Sequence, residues 1–161
     1  HANTAASATV VLSRAHGMAA PKLVVDFISG RKIEFARTKR GIEFAVDLPS
    51  REAMIVGVYP DIPKKSTLSV TSKVKASQKW QWEFRLLNGA GRPAKGSYPA
   101  TVQVFSPSGK RMKCFERYVP AVNGVLTGEF VMPVNPEKGT WKITAVNKLT
   151  FEELSATFDV K

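Results

Sequence analysis

Apolar and polar residues alternate along most of the chain, and turn residues interrupt the alternation at short intervals. Between Gly41 and Pro49, for example, every second residue is apolar, while Glu43 and Asp47 occupy alternate positions. Successive side chains of a β-strand point to opposite faces, so this period of two predicts strands with one buried and one solvated face. No stretch of ten or more residues has helical spacing. We therefore expect an all-β protein.

Residues 1–62 predict a small antiparallel β-domain of about five strands. Gly30 and Gly41 occupy turns that suit a positive φ, and Pro49 ends the strand before it. A domain of this length is small enough to be the end of a larger sandwich. The expected strands lie around residues 9–12, 23–27, 33–35, 42–48 and 54–58.

The segment "YPDIPKKS" around residue 62 contains little that could be buried, so we place a domain boundary there. Beyond it, residues 63–161 contain about seven short apolar-alternating runs separated by Pro- and Gly-rich turns. That spacing predicts an immunoglobulin-like β-sandwich. Trp80, Trp82 and Trp141 are in phase with other apolar residues, which favours the core over an exposed sugar platform. Cys114 alternates with Met112 and is expected to be a buried, inert thiol.

Two resemblances follow from short motifs. One known domain is similar to this chain in four places: the run Asp26–Arg31, the strand from Ile42 to Leu48, the segment Leu48–Ala53 and an apolar strand ending at Pro60. It is the all-β accessory domain that lies C-terminal to the barrel in many bacterial glycoside hydrolases, and the match covers residues 20–60.

Residues 65–161 resemble immunoglobulin-like and macroglobulin-like modules of large bacterial extracellular proteins. The residues that carry this likeness are Thr101–Val104, Ser106–Gly109, Gly128–Phe130, Gly139–Ala145 and Phe158–Val160. Together the resemblances imply the C-terminal, non-catalytic end of a larger secreted or extracytoplasmic protein linked to carbohydrate-active enzymes. Its partners would be other domains of the same parent chain. The chain itself departs from such enzymes because it has neither a barrel nor their catalytic carboxylates.

Catalytic chemistry is not predicted from the residues. Glycoside hydrolysis needs two facing carboxyl groups, whereas the adjacent Glu152 and Glu153 would point to opposite faces of a strand. The two histidines, His1 and His16, form no recognisable triad or metal-ligand pattern, and the single cysteine excludes an intrachain disulfide. We therefore expect no enzyme activity, no metal and no cofactor. No apolar run approaches the roughly 20 residues of a membrane-spanning helix.

Net charge is the one unusual bulk property. The chain carries +11, and residues 63–161 hold 16 basic against seven acidic residues. Residues 64 to 113 include eleven basic residues and only one acidic residue, Glu83. Such a surface attracts polyanions through counterion release. The candidate binding residues are Lys73, Lys75, Lys79, Lys110, Arg111 and Lys113.

Two functions stay open at this point. The first is structural support or interdomain packing as an accessory region, and the second is binding of an acidic polysaccharide or other glycan by the basic face of residues 64–113. A solvated lysine-rich surface that protects strand edges from aggregation would show the same charge. Nucleic acid is a weaker candidate because no recognition helix, RNA-binding aromatic motif or zinc finger is readable.

Overall fold

The computed structural model describes residues 6–13, 20–48 and 53–161. These residues form strands, turns and one short 3₁₀ helix, with no α-helix among them, so the all-β prediction is confirmed. The chain divides into two compact units, His1–Ile62 and Pro63–Lys161, which we call the N-terminal and C-terminal units. The division falls inside the segment "YPDIPKKS".

The N-terminal unit contains five described strands in two small sheets. β1, β4 and β3 form an antiparallel three-stranded sheet in that order, and β2 pairs antiparallel with β5. The strands are β1 (Ala6–Ser13), β2 (Leu23–Asp26), β3 (Ala36–Thr38), β4 (Gly41–Leu48) and β5 (Val56–Tyr59).

Alternation in β4 builds the core of this unit. Ile42, Phe44 and Val46 are buried together with Val24 of β2, as the period of two predicts. Gly41 has a φ of +145°, and a Cβ there would lie 2.0 Å from the carbonyl oxygen of Leu12, so no larger residue fits. The strand expected at residues 33–35 is not formed, because the chain makes only a single bridge at Lys32 before β3 begins. Pro49–Glu52, which carry part of the glycoside-hydrolase resemblance, lie outside the described residues.

The turn after β2 is organised by Asp26. Its carboxylate accepts hydrogen bonds from the Ile28 backbone N–H at 2.9 Å and from the Ser29 hydroxyl at 2.5 Å. The Ser29 hydroxyl and then the Ile28 N–H favour the ionised form, and they hold the pKa of Asp26 below its ordinary value of 3.8. Gly30 completes the turn with a φ of +69°.

We expect Asp26→Asn to lower the thermal stability of the N-terminal unit at pH 7. A depressed carboxyl pKa contributes stability that is present above the unfolded-state pKa and is lost as the pH falls through the folded-state pKa. The difference from the native chain should therefore shrink below about pH 4. Circular-dichroism melting between pH 7 and pH 2.5 measures it. The control is Glu34→Gln, which removes the same charge from an exposed side chain. An equal loss in both variants would contradict the role of the turn.

The C-terminal unit contains eight described strands in the hydrogen-bonded order β6-β8-β11-β10-β9-β12-β13-β7. All neighbours are antiparallel except β13 and β7, which are parallel. The strands are β6 (Lys65–Val70), β7 (Lys73–Val74), β8 (Lys79–Leu87), β9 (Ser97–Phe105), β10 (Arg117–Val122), β11 (Val125–Val131), β12 (Gly139–Asn147) and β13 (Glu153–Val160).

Two features turn this row of strands into a sandwich-like arrangement. β10 and β11 share a single residue pair, Val122 with Val125, next to the Asn123–Gly124 turn, so the sheet folds there. Leu68, Val70 and Val74 alternate with polar residues in the sequence, yet they belong to two strands: β6 pairs with β8, whereas β7 pairs with β13. The chain therefore crosses from one half of the sandwich to the other at Thr71 and Ser72.

Aromatic side chains fill the space between the halves. Trp80 of β8 stacks on Phe158 of β13 with ring centroids 4.5 Å apart, although the two strands are not hydrogen-bonded neighbours. Trp80, Trp82 and Trp141 are each at most 3% exposed. The assignment of the tryptophans to the core is confirmed.

The segment expected as a strand around Cys114 is different. A 3₁₀ helix at Lys113–Phe115 precedes β10, and its turn buries Phe115 against the Trp80 ring. Because this helical turn replaces the strand period, Cys114 is rotated outward and exposed. The prediction of a buried thiol is wrong.

We expect Trp80→Ala to destabilise the C-terminal unit by about 3–5 kcal/mol, because it removes a large side chain from a packed interior. All three tryptophans lie in this unit. Urea denaturation followed by fluorescence of Trp82 and Trp141 therefore reports on it directly. Val134→Ala at a position 74% exposed is the control, with an expected change within about 0.5 kcal/mol. Similar midpoints for the two variants would contradict the proposed role of Trp80.

Candidate polyanion-binding site

Strand register places the predicted basic residues at one end of the C-terminal unit. Lys79 begins β8 and pairs with Val131, which ends β11. Phe105 at the end of β9 pairs with Lys142 near the start of β12, and Gly139 pairs with Val160 at the end of β13. We call this end, comprising residues 72–79, 105–118, 131–142 and 159–161, the basic end. All six predicted residues belong to it.

The basic end concentrates the charge of the unit. It contains ten basic and three acidic residues, so the rest of the unit keeps six basic and four acidic residues. Four further basic residues lie outside the 64–113 stretch from which the candidates came, one of them just beyond its end and three in segments distant in the chain. They are Arg117, Lys138, Lys142 and Lys161.

Ion pairing separates the six predicted residues into two groups. Lys79 binds Glu129 with an N–O distance of 2.7 Å, and Arg111 is paired with Glu116. This ion pair compensates the charge of Lys79, and hydrogen bonding to the same carboxylate raises the pKa of Lys79. The other four are exposed and form no ion pair with any residue that the structure describes: Lys73, Lys75, Lys110 and Lys113.

The loops that carry these lysines are bound to each other. Ser108 donates a hydrogen bond to Glu137 at 2.8 Å, and the Trp141 indole donates to the Glu137 carbonyl at 2.8 Å. The Ser108 and Ser106 hydroxyls hold the pKa of Glu137 below its usual range, so this carboxylate stays ionised near Lys110. The loop before β8 is bound in turn by the Ser77 N–H, which donates to the Met132 carbonyl at 3.1 Å. The lysines therefore project from a fixed frame.

A second cluster surrounds Glu116, whose side chain is only 12% exposed. Its carboxylate accepts hydrogen bonds from Tyr118, Arg111 and Gln103. The Tyr118 hydroxyl contributes most to holding the pKa of Glu116 below its usual range, and burial opposes it. Sequence patterns did not identify this cluster, because its residues meet only through the 3₁₀ turn and the pairing of β9 with β10.

A groove of about 530 Å³ lies over β6, β8 and β11. Its charged groups are compensated: Glu129 is paired with Lys79, and Glu83 binds Arg85 at 2.7 Å. Because its charges are balanced, the groove attracts anions less strongly than the basic end does. The lining residues are Ser69–Thr71, Gln81–Glu83 and Thr127–Glu129.

Comparison with known proteins gives little guidance. No protein-family model matches the sequence, and no curated protein matches it. The solved structure of superoxide reductase (neelaredoxin) from Ignicoccus hospitalis is similar, with a TM-score of 0.44 and 12% identity. That similarity covers 62% of this chain and 82% of the other. A likeness this distant establishes no shared activity.

The solved structure named above is that of an enzyme, and the prediction that this chain is not an enzyme is corrected and is not retained. That prediction relied on the lack of a recognisable triad or metal-ligand pattern and on alternation, which points the adjacent Glu152 and Glu153 to opposite faces of a strand. Alternation does not determine which side chains share a surface across strands; Glu83 and Glu129, for example, come from different strands and line one groove. Among described residues no three His, Cys, Asp or Glu side chains are grouped to hold a metal ion, and His1 and His16 lie outside those residues. No helix in the described ranges is long and apolar enough to cross a bilayer.

Proposed function

We propose that the C-terminal unit binds an acidic polysaccharide through the basic end. The observation that supports the proposal is the convergence of ten basic residues from four separate chain segments, with only three acidic residues among them. Exposed lysines that lack ion pairs are surrounded by counterions, which a polyanion displaces on binding.

The composition of the site favours recognition of charge density over recognition of a defined small anion. The four predicted residues that form no ion pair are all lysines, and a lysine ammonium is a point charge without the bidentate geometry of arginine. A polymer that carries repeated charges can contact several lysines at once, since the loops that carry them are fixed to one another. Binding should therefore depend strongly on salt.

The parent protein is part of the same proposal. The resemblance of residues 20–60 to accessory domains of glycoside hydrolases supports a role in an extracytoplasmic carbohydrate-active protein, with other domains of the parent chain as partners. A polysaccharide-binding unit would hold such a protein near its polymer. The resemblance of residues 65–161 to immunoglobulin-like modules agrees with a unit that presents loops at the ends of a sandwich.

We expect the triple variant Lys75→Glu, Lys110→Glu and Lys113→Glu to elute from a heparin column at much lower salt than the native chain. Three exposed attractive contacts become repulsive, so affinity for heparin should fall by about ten- to hundredfold. Salt titration of retention measures the change. Arg111 is left unchanged because it supports Glu116.

The matched control reverses three charges away from the basic end, with Lys64→Glu, Lys65→Glu and Arg92→Glu. These side chains are also exposed, and the change in net charge is identical. The control should keep most of its retention. Equal losses in the two variants would show that only total charge matters and would overturn the assignment of the site.

A further inference from the structure

Tyr118 is an exposed aromatic residue at the edge of the basic end. It lies in β10 opposite Thr101 of β9, and it is 65% exposed. The uncompensated Lys113 precedes β10 by one 3₁₀ turn. Single exposed apolar residues are common on protein surfaces and by themselves indicate nothing.

Its hydrogen bonds distinguish this tyrosine from an ordinary surface residue. The hydroxyl donates to the Glu116 carboxylate and accepts from an Arg111 Nη2 at 3.0 Å. Glu116 is itself mostly buried and accepts a further hydrogen bond from Gln103 at 3.2 Å. The polar tip of the ring is therefore fixed, while most of its surface remains open to solvent.

We infer that the Tyr118 ring is a preformed stacking surface for a sugar ring of the acidic polysaccharide, an inference that rests on the function proposed above. The C–H groups on one face of a pyranose ring carry partial positive charge, which the negative face of an aromatic ring attracts. Because hydrogen bonds already hold the tyrosine in place, little side-chain freedom is lost on binding. Lys110 and Lys113 would contact the acidic groups of the same chain. Tyr118 thus selects a polymer of sugar rings from among polyanions.

The test compares two probes of similar charge, hexagalacturonate and a linear polyphosphate, by isothermal titration calorimetry at low salt. We expect Tyr118→Ala to weaken hexagalacturonate binding by about two- to tenfold and to leave polyphosphate binding unchanged. Tyr118→Phe keeps the ring and should retain most of the affinity for hexagalacturonate.

Three results would overturn the inference. Equal weakening of both probes by Tyr118→Ala would mean that the variant acts through Arg111 and Glu116. Equal loss in Tyr118→Phe and Tyr118→Ala would assign the effect to the hydroxyl. Tighter binding of hexathymidylate than of hexagalacturonate, lost in Tyr118→Ala, would assign the ring to nucleotide bases.

Failure of the underlying function is a separate result. If the triple lysine variant binds hexagalacturonate and polyphosphate as tightly as the native chain does, the basic end is not a polyanion site. A Tyr118 effect confined to hexagalacturonate, together with a lysine effect on both probes, supports both proposals.

Discussion

The C-terminal unit depends on the burial of aromatic rings between the two halves of one folded row of strands. Trp80 touches Phe115, Phe130 and Phe158, which come from three other elements of the unit. Burial of such rings gives most of the stabilisation available to a unit of this size. It is also linked to the loops, because the 3₁₀ turn after β9 is the element that buries Phe115 against Trp80. The same turn rotates Cys114 to the surface and precedes Glu116, whose carboxylate accepts a hydrogen bond from the Tyr118 hydroxyl.

The candidate site is a consequence of that packing. Each half of the sandwich delivers strand ends to the basic end, so lysines from distant segments converge without any local sequence motif. Hydrogen bonds from Ser108 and Trp141 to Glu137 then fix the loops that carry the charges. Where a carboxylate lies within reach, as at Lys79 and Arg111, the charge is compensated. The remaining lysines produce a positive electrostatic potential along which a flexible acidic polymer can bind.

Ion pairs explain why the number of basic residues in the sequence overstates the positive charge that is available at the basic end. Lys79 and Lys75 are similar in sequence context, yet only Lys79 pairs with a carboxylate, which β11 supplies from fifty residues away in the chain. In the same way, Glu83 and Glu129 are 46 residues apart in the chain, yet both line one groove. Charge counting along the chain therefore predicts the sign of a surface but not which of its charges are available.

The sequence by itself determined the all-β class, the inward face of β4 and β8, and the glycine turns. Each depends on a period of two or on a local φ requirement, and neighbouring residues suffice to set both. Only the tertiary structure decided that residues 68–74 divide between two halves of a sandwich, that Cys114 is exposed, and that Glu116 holds Arg111 and Tyr118. These features arise from contacts between strands far apart in the chain, and alternation within one strand carries no information about which strand will be its neighbour.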